Sequence, residues 1–155
     1  MRIGIGYDIH RLVAGRSLIL GGVSIDYKKG LLGHSDADVL IHAVCDALLG
    51  AAAMGDIGSH FPDNDPRYKD ISSLKLLSQT CRLLTDKGYR IVNLDATILA
   101  EAPKLAPHHQ KMQTIIADTM NISTADINIK STTTEGLGVI GKGEGIGAVC
   151  IAMID

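Results

Sequence analysis

Hydrophobic and polar residues alternate along several short segments of the chain. At residues 1–7, three large apolar side chains fall on one side, which predicts a strand. The next such segment contains a glycine pair at 21–22, which predicts a hairpin turn. Further strands are predicted at residues 18–25, which contain this turn, and at residues 89–100, 126–133 and 145–154. The last segment is apolar throughout, so we expect it to be buried on both faces.

Helical periodicity is confined to three longer segments. They cover residues 36–53, residues 72–87 and a stretch from Pro107 to Met120. The second is the clearest, because its apolar residues recur on one stripe and Gly88 follows as a stop signal. Strands and helices therefore come in mixed order, with a hairpin near the start. This order predicts an α+β fold: a single two-layer domain over residues 1–155, with a mixed sheet covered by helices on one face.

Composition and charge exclude several classes of protein. The 155 residues are 46% hydrophobic and 21% charged, which is ordinary for a globular protein. A net charge of -2 gives no basic surface for nucleic acid and argues against electrostatic binding to a membrane. No apolar run approaches the roughly 18 residues that span a bilayer, and the N-terminus lacks a signal-peptide core. Cys45, Cys81 and Cys150 are widely spaced in apolar surroundings, which indicates reduced core residues and a cytoplasmic protein.

The first predicted helix carries the most informative polar residues. Asp38, His42 and Asp46 recur every four residues in an otherwise apolar helix and therefore lie on one side of it. Two buried carboxylates around an imidazole are costly unless they have a partner, and a metal ion would supply one. The alternative is a polar stripe that faces solvent, as in most amphipathic helices. The helix alone does not decide between the two.

Asp8 and His10 favour the metal. This Asp-x-His pair directly follows the first predicted strand, and an extended segment projects both side chains to the same side. With His42 they would offer one carboxylate oxygen and two imidazole nitrogens. This set suits Zn²⁺ with one open coordination position, as in catalytic zinc sites. Asp-x-His pairs also arise by chance on protein surfaces, so the spacing suggests such a site without establishing it.

Three polar loops supply candidate ligand contacts. Helix capping accounts for the two residues after His34 but not for His34 itself, which could donate a hydrogen bond to an anionic ligand. Residues 55–66 form a long polar loop of a kind that is often functional, although its composition predicts only turns. At residues 130–135, hydroxyls and backbone N–H groups could hold phosphate oxygens, with Glu135 available for Mg²⁺. The alternative there is a threonine-rich strand end.

Eight short motifs follow one another along the whole chain. They are GYDIH at residues 6–10, HSDAD at 34–38, ALLGAA at 47–52, GDIG at 55–58, FPD at 61–63, APK at 102–104, TTTE at 132–135 and GEGI at 143–146. In their order and spacing they make the chain resemble the 2-C-methyl-D-erythritol 2,4-cyclodiphosphate synthase family from end to end. The ordered set is far more specific than any single motif.

The resemblance implies a homotrimer of α+β subunits with an active site between neighbouring subunits. It also implies the reaction, in which 4-diphosphocytidyl-2-C-methyl-D-erythritol 2-phosphate closes on itself and releases CMP. Asp8, His10 and His42 correspond to the residues that hold Zn²⁺. Glu135 corresponds to the residue that helps to place a second divalent cation, Mg²⁺ or Mn²⁺, on the diphosphate.

By the same resemblance, His34 and Thr133 steady the transition state. The substrate's own 2-phosphate attacks the β-phosphorus, so the reaction needs positioning and charge neutralisation rather than a protein nucleophile. The absence of an evident Ser/His/Asp or Cys/His set agrees with this chemistry. The resemblance assigns substrate contacts to Asp8, His10, His34, Ser35, Asp56, Ile57, Gly58, Phe61, Pro62, Asp63, Asn64, Asp65, Ala100, Pro103, Lys104, Leu105, Ala106, Thr132, Thr133, Thr134, Glu135, Val139 and Lys142.

Two positions depart from the commoner family pattern. Val139 and Lys142 stand where many relatives have an aromatic residue and an arginine, around a cavity on the threefold axis. Some relatives hold an isoprenoid diphosphate there. Lysine keeps the positive charge but lacks the bidentate fork of arginine, so this ligand stays an open question for the chain.

Two other functions are compatible with the same residues. A Zn²⁺-dependent phosphohydrolase would use these ligands to activate water and would give an open-chain product. A metal-stabilised trimer that only binds nucleotides or isoprenoid phosphates would show binding without turnover. Neither alternative explains why so many separate motifs match one family in order.

Overall fold

The computed structural model describes residues 1–155, which form seven strands. In chain order they are β1 (Arg2–Val13), β2 (Leu18–Leu20), β3 (Val23–Ile25), β4 (Gly30–Leu31), β5 (Ile91–Leu99), β6 (Ile127–Thr132) and β7 (Gly145–Ile154). Five of them make one mixed sheet in the order β4-β1-β7-β5-β6, in which only β5 and β6 run parallel. β2 and β3 form a separate hairpin. The predicted α+β fold with a mixed sheet is therefore confirmed.

The chain has five helices, of which the three longest pack on one face of this sheet. The five are α1 (Val39–Ala51), α2 (Ile57–His60), α3 (Ser73–Asp86), α4 (His109–Met120) and α5 (Gly138–Gly141). α1 lies against β1 and β7, α3 packs on α1, and α4 packs on β6. Because α1 is enclosed by the sheet and by α3, nearly all of its side chains are buried. None of the helices is long and apolar enough to cross a membrane.

The core lies between the helices and the inner face of the sheet. It is a cluster of 36 buried hydrophobic residues, to which β5 contributes Leu94, Ala96 and Ile98 at every second position. On the outer face only the short α5 approaches the sheet, with Ile140 beside Gly147 of β7, and large apolar side chains of β1 stay exposed. The prediction that residues 145–154 are buried on both faces is wrong for this reason, because Ile151 on the outer face is half exposed.

Most element predictions are confirmed, and the exceptions have local causes. The hairpin turns where predicted, because Gly21 and Gly22 both adopt the positive φ angles that a tight two-residue turn requires. β1 continues to Val13, so the Asp-x-His pair lies within the strand rather than after it. α2 and α5 were not predicted, because a four-residue helix is too short to show a helical period.

Candidate active site

Three side chains from two elements converge at the inner face of the sheet. Alternation along β1 brings Asp8 and His10 to the same side, as predicted, and His42 reaches them from the first turn of α1. Asp8 Oδ2 lies 2.9 Å from His10 Nε2 and 3.0 Å from His42 Nδ1, and the two nitrogens are 3.0 Å apart. The three side chains are largely buried, and each offers one ligand atom.

This cluster fits a metal ion. Ligands at about 2.0–2.2 Å from Zn²⁺ stand roughly 3.3 Å apart at tetrahedral angles, close to the spacing found here. His10 also places its other ring nitrogen, Nδ1, 2.8 Å from the carbonyl oxygen of Leu32. A carbonyl only accepts, so Nδ1 carries the proton and Nε2 has a free lone pair for a metal. Asp8, His10 and His42 can therefore hold a metal ion.

The charges inside the cluster reinforce one another. Burial by itself would raise the pKa of Asp8, but hydrogen bonds and charge interactions with His10 and His42 outweigh it and lower the pKa strongly. Burial would likewise lower the pKa of His10. The hydrogen bond to Asp8, its negative charge, the bond to Leu32 and the charge of Asp63 together raise that pKa. The anionic carboxylate of Asp8 therefore stabilises positive charge in this cluster, which is the environment of a cation site.

A cavity of about 260 Å³ opens beside the cluster. His34, in the loop before α1, lies in its wall, and its Nε2 atom is buried without a hydrogen-bond partner. Buried polar atoms in folded proteins are nearly always hydrogen bonded, so an unpartnered one at a cavity indicates a ligand contact. Predicted site residues that line this cavity are Asp8, His10, His34, Ser35, His42, Ile57, Gly58, Phe61 and Asp63.

Seven further predicted contacts border a second cavity of about 340 Å³. Its predicted members are Ala100, Pro103, Lys104, Leu105, Ala106, Thr132 and Thr133. β7 and β5 separate β1 from β6, so at about 4.8 Å per strand β1 and β6 are about 14 Å apart across the sheet. Thr132 also shares the outer face with Asn128, whereas Asp8 is on the inner face. One chain therefore does not bring the two halves of the predicted site together.

Comparison with known proteins identifies the family. The sequence model of the YgbB family matches residues 1–155. The chain belongs to the YgbB family. A 2-C-methyl-D-erythritol 2,4-cyclodiphosphate synthase from Desulfatibacillum aliphaticivorans is 60% identical over 155 residues, which is 100% of each chain. The resemblance to this family of enzymes is thereby confirmed.

Solved structures agree in fold with this YgbB-family chain. The bifunctional IspDF from Campylobacter jejuni superposes with a TM-score of 0.95 at 41% identity, and the match covers 99% of this chain but only 42% of that one. The CDP-bound form of a 2C-methyl-D-erythritol-2,4-cyclodiphosphate synthase has a TM-score of 0.91 at 36% identity, covering 99% of this chain and 100% of that one.

Some predicted site residues of this YgbB-family chain lie outside both cavities. Asp56 caps α2 by accepting from Ser59 N at 2.8 Å, and Asp65 is paired with Arg67. Glu135 is exposed and accepts a hydrogen bond of 3.0 Å from the hydroxyl of Thr133, apart from the Asp8 cluster. The others are Pro62 and Asn64 in the loop after α2, Thr134 before Glu135, and Val139 and Lys142 in and after α5.

Sequence reasoning placed two carboxylates of α1 incorrectly. Asp38 does not face the metal cluster: it is the N-cap of α1, a role that had been considered for Ser35 or Asp36, and it is fully buried against the β2–β3 hairpin. Asp46 does line the cavity, but it accepts from the backbone of Ile57 at 2.7 Å. Residues four apart on a helix share a side, yet different neighbours cover different turns of that side.

The cavity also contains side chains that were not predicted, among them Tyr68 and Leu76. Ser73, at the start of α3, was not predicted either; it is buried behind the cluster, where its hydroxyl lies 2.9 Å from Nε2 of His42. The sequence around these residues carries no chemical signal, since an isolated serine at a helix start is normally explained by capping. Only the packing of α3 on α1 reveals the contact.

Proposed function

We propose that the chain converts 4-diphosphocytidyl-2-C-methyl-D-erythritol 2-phosphate to 2-C-methyl-D-erythritol 2,4-cyclodiphosphate and CMP, in the non-mevalonate pathway to isoprenoid precursors. The observation that carries the proposal is the convergence of Asp8, His10 and His42 in a cavity next to the unpartnered Nε2 atom of His34. Membership of a family whose relatives are named as this synthase supports it.

The reaction forms one bond and breaks one. An oxygen of the substrate's 2-phosphate attacks the β-phosphorus, and the bond from that phosphorus to the oxygen bridging the α-phosphate breaks. CMP leaves with this bridging oxygen, so no protein atom enters the product. The task of the chain is therefore to hold two anionic phosphate groups close together and to neutralise their charge.

The cavity beside Asp8, His10 and His42, here called the metal half of the site, would hold the phosphates and neutralise their charge. In the proposal Asp8, His10 and His42 hold Zn²⁺, which when bound orients and polarises phosphate oxygens. His34 would donate a hydrogen bond to a phosphate oxygen through Nε2, the buried atom that lacks a partner within the chain. Such a fixed, buried group needs no reorganisation when charge develops, which is why it would lower the barrier.

The second cavity, here called the nucleotide half of the site, would hold the nucleotide. Lys104 and the backbone from Ala100 to Ala106 border it, next to the hydroxyls of Thr132 and Thr133. A relative of the same fold is known in a CDP-bound form, which supports a cytidine diphosphate site in this family. Thr133 would contact the diphosphate, and Glu135, held by the Thr133 hydroxyl, would help to bind Mg²⁺ or Mn²⁺.

A homotrimer would unite the two halves. We propose that residues 1–155 act as one domain whose outer sheet face packs on neighbouring copies. On that face Ile3, Ile5 and Tyr7 are 67%, 68% and 58% exposed, a contiguous apolar row unlike the surface of a monomer. The metal half of one subunit would then meet the nucleotide half of the next, which explains why they lie apart within one chain.

The test is to follow the reaction by phosphorus NMR and product mass, with the cytidylyl substrate, Zn²⁺ and Mg²⁺. The expected products are CMP and a cyclic diphosphate, absent with His42→Ala and unchanged with Gln110→Ala on the exposed side of α4. CMP with a linear product would instead establish the phosphohydrolase. Tight nucleotide binding without any turnover would establish the binding protein.

A further inference from the structure

A buried hydrogen-bond relay stands behind the metal cluster, on the side of His42 that faces away from Asp8. Nε2 of His42 lies 2.9 Å from the hydroxyl oxygen of Ser73, which is completely buried. That hydroxyl donates a short hydrogen bond to Oδ1 of Asp36, and the backbone N–H of Ser73 donates to Oδ2 of the same carboxylate at 3.0 Å. We propose that Ser73 and Asp36 are positioning residues that fix the tautomer of His42 and so present its Nδ1 atom to the metal.

The protons of these groups can be counted. A hydroxyl group has one proton, and the Ser73 proton is given to the carboxylate of Asp36, which can only accept. The Ser73 oxygen can therefore only accept from His42, so it holds a proton on Nε2 of that ring. Nδ1 lies 3.0 Å from Oδ2 of Asp8 and from Nε2 of His10, and it can share a second proton with Asp8 while no metal is bound. When a metal displaces that second proton, the Nε2 proton stays with Ser73 and Nδ1 presents a free lone pair.

His10 obeys the same logic through a different partner. The Leu32 carbonyl fixes the proton of His10 on Nδ1 and frees Nε2, the atom that faces the cluster. The two imidazoles thus use opposite ring nitrogens, and in each case the free nitrogen is the one that points at the common centre. Two independent backing contacts that give the same result argue against a chance arrangement. Ligating histidines are commonly oriented in this way by a partner on their other nitrogen.

Ser35 is the competing partner of His42. Its hydroxyl oxygen lies 3.1 Å from Nε2 and could donate to that atom if the proton were on Nδ1. In that tautomer, however, the lone pairs of Nε2 and of the Ser73 oxygen would face each other at 2.9 Å. The Ser35 oxygen is also already an acceptor for the N–H of Ala37 at 3.1 Å. The Ser73 contact therefore determines the tautomer.

The relay is anchored by backbone hydrogen bonds between two loops. The N–H of Asp36 donates to Ile71 O at 3.0 Å, and the N–H of Asp70 donates to His34 O at 2.9 Å. The loop that carries His34 and the start of α3 are thereby tied to the same carboxylate that orients His42. The inference rests on the metal site of the proposed function but not on its reaction.

The direct test is the tautomer of His42 in the protein without metal. Two-bond ¹H–¹⁵N correlation spectra of ¹⁵N-histidine-labelled protein distinguish the two ring nitrogens, and the His42 signals are assigned by their loss in His42→Gln. The expected result is a proton on Nε2. An unprotonated Nε2 in the wild-type protein would overturn the proposal without any variant being needed, whereas a proton on Nδ1 would only report its contact with Asp8.

The second test is Zn²⁺ affinity, measured by competition with a chromophoric chelator and without substrate. Ser73→Ala should weaken Zn²⁺ binding by about 10- to 100-fold, the usual effect of removing a partner of a ligating histidine. It should also leave Nε2 of His42 without a proton, so that this atom accepts a hydrogen bond from the Ser35 hydroxyl. Ser72→Ala is the matched control, because Ser72 is the adjacent helix-cap residue and its side chain makes no capping hydrogen bond.

Wild-type affinity and an unchanged tautomer in Ser73→Ala would overturn the proposal. A loss of affinity with an unchanged tautomer would mean that Ser73 acts only through packing, and would also overturn it. If the relay behaves as expected but no cyclic diphosphate forms, the proposed reaction is refuted while the positioning role stands. If the wild-type protein binds no Zn²⁺, the proposed reaction and the positioning role are both refuted.

Discussion

Gly6 of β1 lies against Ala43 of α1 so closely that a methyl group on Gly6 would stand 2.0 Å from the Ala43 carbonyl oxygen. Gly4, two residues earlier, has the same relation to Ala47, at 2.1 Å. The obstructing atoms belong to the backbone, so no side-chain rotation relieves the contact. His42 immediately precedes Ala43, and the strand carries the other two metal ligands. The glycines therefore set the separation between the two elements that build the metal cluster.

Gly6→Ala should destabilise the fold and weaken the metal site. Overpacking of a core contact typically costs about 1–3 kcal/mol, and a backbone obstruction places this variant at or above the upper end. Urea denaturation measures the loss, and Zn²⁺ affinity should fall with it as α1 is pushed from β1. Gly50→Ala is the control within the same helix, since its nearest neighbour would be 3.9 Å away. It should be neutral or gain up to about 1 kcal/mol in helix propensity. Equal stability of the Gly6 variant and the wild type would contradict this account.

Asp38 joins the hairpin to α1. Its carboxylate accepts from the backbone N–H groups of Gly21 at 2.9 Å, Gly22 at 2.7 Å and Ile41 at 3.2 Å, although the side chain is fully buried. Asp38→Ala would leave three donors without a partner, so we expect a loss of about 3 kcal/mol or more in the free energy of unfolding. Asp56→Ala, at the exposed cap of α2, should lose about 1 kcal/mol or less. Similar losses in the two variants would refute the joining role.

Asp38 also makes a specific contribution to the pH dependence of stability. Burial raises the pKa of Asp38 to about 6, against the lowering effect of its backbone hydrogen bonds. The folded state therefore binds a proton more tightly than the unfolded state, whose aspartate has a pKa of about 3.9. This group's contribution is largest below pH 4 and is lost as the pH rises to about 6. Asp38→Asn should remove this slope, which urea denaturation between pH 4 and 7 would reveal as a narrowing difference between variant and wild type.

Pattern reasoning predicted those features of the fold and site that depend on local sequence. The Asp-x-His pair on β1 and the glycine hairpin follow from the geometry of an extended chain and of a two-residue turn, so both were predictable. Asp38 and His42 belong to the cap and the first turn of α1, close to where the sequence placed them. Their separate roles were not predictable, because the hairpin covers the cap of α1 and the strand covers its first turn. Ser73 contacts His42 across 31 positions of sequence, and no local pattern encodes such a contact.

The exposure of the outer sheet face was not predicted, for a related reason. β7 is apolar at nearly every position, and in one chain such a strand is expected to lie between two layers. In the structure only the inner face has a helical layer, and Ile5 and its neighbours on β1 stay exposed. An apolar outer face is consistent with burial against other subunits. A strand that another subunit buries has the same apolar sequence pattern as a strand inside a core, so the sequence of one chain does not distinguish them.

The Zn²⁺ affinity should depend on pH through His10. Its pKa is raised above the ordinary 6.5, mainly by Asp8 against the effect of burial, and Zn²⁺ binds only the neutral ring. Below the pKa of His10 the apparent affinity should therefore fall by about tenfold per pH unit, and above it the affinity should level off. Chelator competition from pH 5.5 to 8.5 measures this profile. Leu32 supplies only its carbonyl, so Leu32→Ala should keep the profile and serves as the control. A flat profile across this range would contradict the ligand role of His10.

A charge in the middle of the outer face should separate the subunits. Ile5→Asp would place a carboxylate within the proposed interface, where burial without a partner is costly, and sedimentation should show monomers instead of trimers. Turnover should be lost while Zn²⁺ still binds, because the metal cluster lies on the inner face. Gln79→Asp adds the same charge to the exposed side of α3 and should stay trimeric and active. A fully active, trimeric Ile5→Asp would show that this face is not the interface.

Mixed trimers would reveal whether each active site spans two chains. His42→Ala should inactivate the metal half and Thr133→Ala the nucleotide half, so each variant alone should be inactive. When both are co-expressed with different tags and the mixed trimers are purified, a site with both halves intact forms wherever the metal half of a Thr133→Ala chain meets the nucleotide half of a His42→Ala chain. Every mixed trimer has two chains of one variant and one of the other, so one of its three sites is intact and activity should recover to about a third of the wild-type value. If both halves came from one chain, every site would carry one defect, and the mixed trimers would stay inactive.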